Sequence, residues 1–245
     1  MVNELKFGNI SRDADVRMLY DMQDVVYDQS WLKSAENTEL YYMYRNLYRT
    51  DNDLEIMEKN HLRYDITVIP SGLLGIEYIK TAGHYHPKVQ GSDVTYPEVY
   101  QVLEGNATYL LQKRKNENDD RMIEDVIIIH AGPGDVVVVP PYYGHVTVNE
   151  SDADLKMANW VCSDFSSVYD SIKKCRGAAY YLIKTGFIRN TEYRHIPDSR
   201  YLSPQDLEEF GLIKGHDMYE LVNDIEKLDF LRSPQNYTEI FERMY

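Results

Sequence analysis

The chain has 245 residues, 43% of them hydrophobic, and a formal net charge of −14. That length suits one large domain, or one domain with appendages, and the apolar content supports a core without staples. The acidic balance excludes nonspecific nucleic-acid binding, which needs a basic footprint, and an anionic ligand needs local help from a metal ion, a lysine or backbone N–H groups.

The opening "MVNELKFGNISRDADVR" holds no apolar signal core, and no run of about 18 apolar residues occurs anywhere. Cys162 and Cys175 have neither disulfide-framework nor zinc-knuckle spacing. A cytoplasmic protein that binds no membrane is expected. Residues 1–62 read as a mixed helical and extended segment that packs on the strand-rich part of the chain. Val16, Leu19, Met22 and Val25–Val26 have helical spacing over 13–28, and 37–61 also tolerates helix, although its tyrosines blur the face.

Strand signals dominate 63–190. "RYDITVI" (63–69) is bounded by Pro70, Ser71 and Gly72, and "LLGIEYIKTA" (73–82) follows it. "PEVYQVLEG" (97–105) turns at Gly105-Asn106 into "ATYLLQK", and "KRKNENDDR" (113–121) reads as a charged hairpin tip. "IEDVIIIHAG", "GDVVVVPP", "HVTVN" and "DLKMANWV" continue the series, with "AAYYLIKTGFI" (178–188) as a further strand or hairpin. Short strands with turn signals every 8–12 residues indicate an all-β barrel or sandwich. In 191–245 the pattern changes. Ser203-Pro204 and Ser233-Pro234, each followed by carboxylates, predict helix starts with Ser as N-cap and Pro at the first position. This last stretch is expected to be largely helical and packed outside the barrel.

The chemistry gathers in "TAGHYHPKVQGSDVTYPEVY" (81–100). On a strand, His84 and His86 are two apart, so both imidazoles face one side. Glu98 opens the next strand and can reach the same point. A fourth ligand must come from a distant strand, and His145 begins one after "PPYYG".

The spacing of Gly83, His84, His86, Glu98 and Gly105, then of Gly134, Pro140, His145 and Asn149, resembles the two-motif signature of the cupin superfamily. The gap between His86 and Glu98 is enlarged, and Tyr142 stands where a Gly is usual. The resemblance implies an all-β core of cupin type, a double-stranded β-helix or jelly-roll barrel. "RYDITVI", "KTAGHYHP", "PEVYQVLEG" and "PGDVVVVPPYYGHVTVN" narrow it. Over roughly 37–185 the chain resembles the cupin-type glucose-6-phosphate isomerases first known from archaea.

That resemblance implies a homodimer acting on a sugar phosphate, with one divalent ion per subunit held by His84, His86, Glu98 and His145. Fe²⁺ is the first expectation, with Mn²⁺, Ni²⁺, Co²⁺ and Zn²⁺ also suited to such nitrogen and oxygen donors. Glu98 is the candidate base for moving a proton between C1 and C2, and Tyr100 shares its strand face. A metal-assisted hydride shift is the rival mechanism. Thr67, Thr81 and Gly83 are implied as neutral phosphate donors, and Tyr41 matches an N-terminal tyrosine of the family through a Tyr-x-x-Tyr pattern. Lys80 is expected to face away from Thr81. Two positions depart from the family: Val161 aligns with a tyrosine and Ser167 with a histidine. His61, His195 and His216 read as surface residues, and His130 as structural. A cupin oxygenase and a non-catalytic sugar-binding cupin are the alternative functions, because a barrel by itself decides nothing.

Overall fold

The computed structural model describes residues 4–245. The first three residues of the N-terminal segment lie outside the described residues. Strands β1 (Glu4–Phe7) and β2 (Ile10–Asp13) form a hairpin. Next come β3 (Asp15–Met18), helix α1 (Gln29–Leu32), β4 (Glu39–Tyr44), helix α2 (Asp51–Lys59) and β5 (Leu62–Ile69). Two short strands, β6 (Leu73–Leu74) and β7 (Glu77–Tyr78), precede the long ones. Those are β8 (Glu98–Glu104), β9 (Ala107–Arg114), β10 (Ile123–Ala131), β11 (Val136–Val139), β12 (Tyr143–Val148) and β13 (Leu155–Cys162). Helix α3 (Asp170–Lys174), the β14–β15 hairpin (Tyr180–Ile183, Gly186–Arg189) and β16 (Arg200–Leu202) follow.

Two sheets make the expected all-β core. One has the order β11-β8-β13-β5-β4-β3, the other β12-β9-β10-β16. Their facing sides share one apolar cluster, with Tyr100, Val102, Val137 and Met157 from the first and Tyr109, Leu111, Ile127 and Ile129 from the second. The alternate residues are buried too. Val99, Val136, Val138 and Trp160 belong to a second cluster on the outer side of the six-stranded sheet, and Leu110, Val126, Ile128 and Val146 to a third behind the four-stranded sheet. Burial on both faces explains the unbroken runs "VIII" and "VVVV", where a half-exposed strand would alternate with polar residues.

The tail supplies the cover for the six-stranded sheet. Phe210, Tyr219, Leu221, Val222, Phe230, Leu231 and Phe241 pack on Tyr64 and Trp160. Polar contacts fix its position: Gln101 Nε2 donates to the His216 carbonyl at 2.6 Å, Gln101 Oε1 accepts from Met218 N–H at 3.0 Å, and Trp160 Nε1 donates to the Met218 carbonyl at 2.9 Å.

Several local expectations need correction. Residues 13–28 are not a helix: β3 is followed by a 3-10 turn, Leu19–Met22. Arg17 pairs with Tyr41 in the sheet, and the apolar residues serve two different cores, Val16 outside and Leu19, Met22, Val25 and Val26 inside. Tertiary pairing overrides the helical spacing. In 37–61 the tyrosine-rich "ELYYMY" is strand β4, and only α2 is helical, its Thr50 hydroxyl accepting from Asp53 N–H at 3.2 Å. Gly75, at φ 70°, separates the two short strands of 73–78. Ser203-Pro204 starts no helix, since the first helical turn there is Glu208–Phe210. Pro234 does open a 3-10 turn, Pro234–Asn236, but the Ser233 side chain caps nothing. Helices α4 (Asp229–Arg232) and α5 (Thr238–Met244) flank it. The charged tip at 113–121 does join β9 to β10. Among the described residues, no helix is long and apolar enough to cross a membrane.

Tyr142, at the position where a glycine is usual in the cupin motif, has φ 74° and is 41% exposed. A left-handed conformation costs an L-residue roughly 1–2 kcal/mol, and glycine returns about half of that as unfolded-state entropy. Tyr142→Gly is therefore expected to stabilise the protein by about 0.5–1 kcal/mol, read as a higher urea midpoint at unchanged slope. A lower midpoint would show that the tyrosine ring contributes more than its backbone costs.

Candidate metal centre and substrate cavity

The centre forms where the two sheets approach each other. Glu98 opens β8, and His145 lies in β12 of the other sheet. His84 and His86 sit on an extended segment, not on a strand of a sheet as expected. That segment is held by a single bridge at each of two residues, His84 to His145 and Tyr85 to Val168. His84 N–H donates to the His145 carbonyl at 3.3 Å, and His145 N–H donates back at 3.0 Å, so two ligand-bearing backbones are tied directly together. Gly83, just before, has φ 76°, and a Cβ there would lie 2.5 Å from Val146 Cγ2. Only glycine lets the chain come this close.

One nitrogen or oxygen from each of His84, His86, Glu98 and His145 lies within 4.8 Å of all the others. His84 Nε2 is 3.1 Å from His86 Nε2, and Glu98 Oε2 is 3.4 Å from His86 Nε2 and 3.3 Å from His145 Nε2. Ligand bonds of about 2.1 Å at right angles put donors about 3 Å apart, so these spacings suit a small divalent ion. Glu98 Oε2 is buried without a hydrogen-bond partner. Its other oxygen, Oε1, accepts from Asn159 Nδ2 at 2.7 Å. His86 Nδ1 lies 2.9 Å from the Tyr96 carbonyl, which fixes the tautomer that leaves Nε2 free. The residues present thus fit a metal ion.

Their protonation fits as well. Burial first, then the neighbouring imidazoles, hold His84 well below the usual histidine range, and burial lowers His145. For Glu98, burial pushes upward, but contacts from His145 and His86 outweigh it and hold the carboxyl well below its usual range. Neutral imidazoles and an ionised carboxylate are the forms that bind metal. Tyr100 Oη is 3.0 Å from His145 Nε2, and burial together with the Glu98 charge pushes its pKa well above the ordinary value.

One cavity brings the other predicted residues to this centre. Its lining includes Tyr41, Thr67, Thr81, Gly83 and Tyr100, and also the two departing positions, Val161 and Ser167. Thr81 Oγ1 accepts from Thr147 N–H at 3.0 Å, which leaves its own hydrogen for another acceptor. Tyr41 Oη accepts from Ala82 N–H at 3.3 Å, between Thr81 and Gly83. Lys80 does face away, in a buried ion pair with Glu77 and 4.7 Å from the Tyr181 ring centre. His61, His130, His195 and His216 are all exposed and outside the cavity.

Four charged or amide lining residues were missed by the sequence reading: Asn159, Arg45, Arg63 and Asp65. A period of two would have found two of them, and strand register a third. Once Thr67 is assigned to the cavity, Asp65 and Arg63 on the same strand face it as well, and the strand partner of Asp65 is Asn159.

The family model for glucose-6-phosphate isomerase (GPI) matches residues 16–197. The chain belongs to the glucose-6-phosphate isomerase family. It is 35% identical over 141 residues to the glucose-6-phosphate isomerase of Thermococcus litoralis, covering 56% of this chain and 63% of that protein. With the enzyme of the same name from Pyrococcus abyssi it is 31% identical over 192 residues, 77% of this chain and 88% of the other. The chain therefore spans just under two thirds of the first relative and most of the second. Among solved structures it is similar to an oxalate decarboxylase from Lactobacillus farciminis at 16% identity and a TM-score of 0.37, over 54% of this chain and 32% of that one, too slight a likeness to carry an argument. The family match ends before the tail that covers the six-stranded sheet.

Asn159 is the side chain that orients the carboxylate of the cluster. Loss of such an orienting partner typically costs tenfold to a hundredfold in metal affinity. Asn159→Ala should show that loss in competition against a chelator of known strength. Wild-type affinity in the variant would mean that Glu98 is held by its backbone and the imidazoles alone.

Proposed function

We propose that the protein is a metal-dependent glucose-6-phosphate isomerase that interconverts glucose 6-phosphate and fructose 6-phosphate. The observation that carries the reading is the convergence of four donor atoms from His84, His86, Glu98 and His145 in the same cavity as Thr67, Thr81 and Gly83. The family match and the two relatives named as glucose-6-phosphate isomerases support it. Fe²⁺ is the proposed ion, with Mn²⁺, Ni²⁺, Co²⁺ and Zn²⁺ compatible with the same donors.

When bound, a divalent ion supplies Lewis-acid stabilisation of negative charge on the sugar oxygens. The chain supplies the proton chemistry. Glu98 serves as a ligand in the resting site and as the base once substrate is bound: Oε2, ionised and without a hydrogen-bond donor, takes the proton from C2 of the aldose and returns it to C1, while the hydroxyl proton at O2 passes to O1. Asn159 keeps Oε1 occupied, so that one oxygen alone is available. Tyr100 Oη stays protonated and can donate to a sugar oxygen beside Glu98. Thr67, buried on β5, and Thr81 offer hydroxyls to the phosphate. The Gly83 N–H, which makes no hydrogen bond among the described residues, is a third donor. A cupin oxygenase is the alternative reading of three histidines and a glutamate. It would need oxygen, whereas an isomerase turns over under anaerobic conditions.

A coupled assay for conversion of fructose 6-phosphate to glucose 6-phosphate, run anaerobically, tests the assignment. Chelation should abolish turnover, and added Fe²⁺, Mn²⁺ or Ni²⁺ should restore it; full activity of the stripped protein would sink the metal requirement. Glu98→Gln should keep part of the metal affinity and lose most of kcat, because an amide offers an oxygen but takes no proton. Near-normal kcat at metal saturation would remove Glu98 as the base and favour a hydride shift.

A further inference from the structure

Two guanidinium groups share the cavity with the metal cluster, and the proton transfer uses neither. Arg63 and Asp65 lie on β5, on the face that carries Thr67, and Arg45 follows the end of β4. Arg63 Nε donates to both oxygens of Asp65, at 3.0 and 2.9 Å. Asp65 is buried, its side chain 5% exposed, and it also accepts from Asn46 N–H at 2.8 Å. Arg45 Nη1 lies 3.8 Å from the same carboxylate, while its Nε bonds Asp15 at 3.3 Å. The Nη atoms of Arg63 have no hydrogen-bond partner among the described residues. A guanidinium clamped at Nε, with its two outer nitrogens free in a cavity, is a preorganised fork for a planar or tetrahedral oxyanion.

Its place along the sheet matters. Glu98 pairs with Val161 on β13, and Val161 pairs with Arg63 on β5. Arg63 is thus two strands from the carboxylate of the cluster, about 10 Å away at ordinary strand spacing. The residue between them is a short apolar valine, at a position that aligns with a tyrosine in the family pattern. We propose that Arg63, with Arg45 and with Asp65 as their clamp, binds the phosphate of the substrate from the charged side, while Thr67 on the same strand face supplies a neutral donor. This rests on the isomerase reading for the identity of the substrate and adds to it a selector. The neutral hydroxyls distinguish poorly between a phosphate and a sugar hydroxyl, whereas a charged fork favours the dianion on a chain of net charge −14.

The test measures equilibrium binding of sorbitol 6-phosphate and of sorbitol, an unreactive pair that differs only in the phosphate, to the metal-loaded protein. Arg63→Gln should weaken sorbitol 6-phosphate roughly tenfold to a hundredfold, the loss expected for a charged hydrogen-bond pair, and leave sorbitol within about twofold. Arg45→Gln should act in the same direction and flatten the salt dependence of phosphate-ester binding. Arg63→Gln leaves Asp65 facing Arg45 alone, so Arg63→Gln/Asp65→Asn, which leaves no carboxylate buried there, is measured beside it and should lose the same selectivity. An unchanged ratio of the two affinities in folded variants would overturn the proposal and return both arginines to a structural role. The ratio is independent of turnover: a wild type that converts fructose 6-phosphate but whose variants keep the ratio refutes the fork and not the activity. A wild type without turnover whose selectivity still depends on Arg63 supports the fork and refutes the activity.

Discussion

Glu98 presents one oxygen to Asn159 and leaves the other buried with no donor. An ionised carboxylate in that condition is costly, because burial without a full set of partners forfeits hydration that nothing replaces. Burial disfavours the cationic forms of His84 and His145, so these two do not neutralise it as full cations. A cation at the common focus of the four donors would complete the arrangement. The surrounding structure serves that focus: the backbone exchange between His84 and His145, the glycine at 83 that permits it, and the Tyr96 carbonyl that sets the His86 tautomer.

A site of this kind needs walls that do not yield. Each long strand here is buried on both faces, one against the opposite sheet and the other against a covering layer. A close-packed interior transmits strain poorly into local adjustment, so the donors stay where the backbone puts them. The tail takes part in this although it lies far from the chemistry. It covers Trp160, whose neighbours Asn159 and Val161 face the cavity, and it takes both ends of the Gln101 amide, next to Tyr100.

The strands of the barrel were legible because their signal is local: apolar runs closed by Gly, Pro and Asn. The candidate cluster was legible because His-x-His, a following Glu and a distant His carry fixed spacings, which place Glu98 and His145 on strands and His84 and His86 on an extended segment bridged to His145. The N-terminal strand β3 was not legible, since its Val16 and the Leu19 and Met22 of the following turn mimic a helical face while serving two separate cores. Ser203-Pro204 misled for a related reason: a local cap signal makes a helix only where the following residues have a surface to pack on, and 203–207 do not form a helical turn. Asn159 and Arg45 act through partners on neighbouring strands, and register across a sheet is not written in any one segment.

Under the proposed function, the charges of the cavity would let so acidic a chain take up a dianion. Arg45 and Arg63 formally balance Asp65 and Glu98, so the lining by itself offers a phosphate ester no net attraction. A divalent ion at the histidine cluster leaves the cavity positive by two formal charges, and the free fork of Arg63 directs that field toward one end. The two ligands are then coupled through charge: a cation at the cluster favours the anion about 10 Å away, and linkage requires the anion to favour the cation by the same factor. The coupling needs no movement of the sheet. It follows from placing four formal charges on neighbouring strands so that they cancel when the cavity is empty and cease to cancel when the metal arrives.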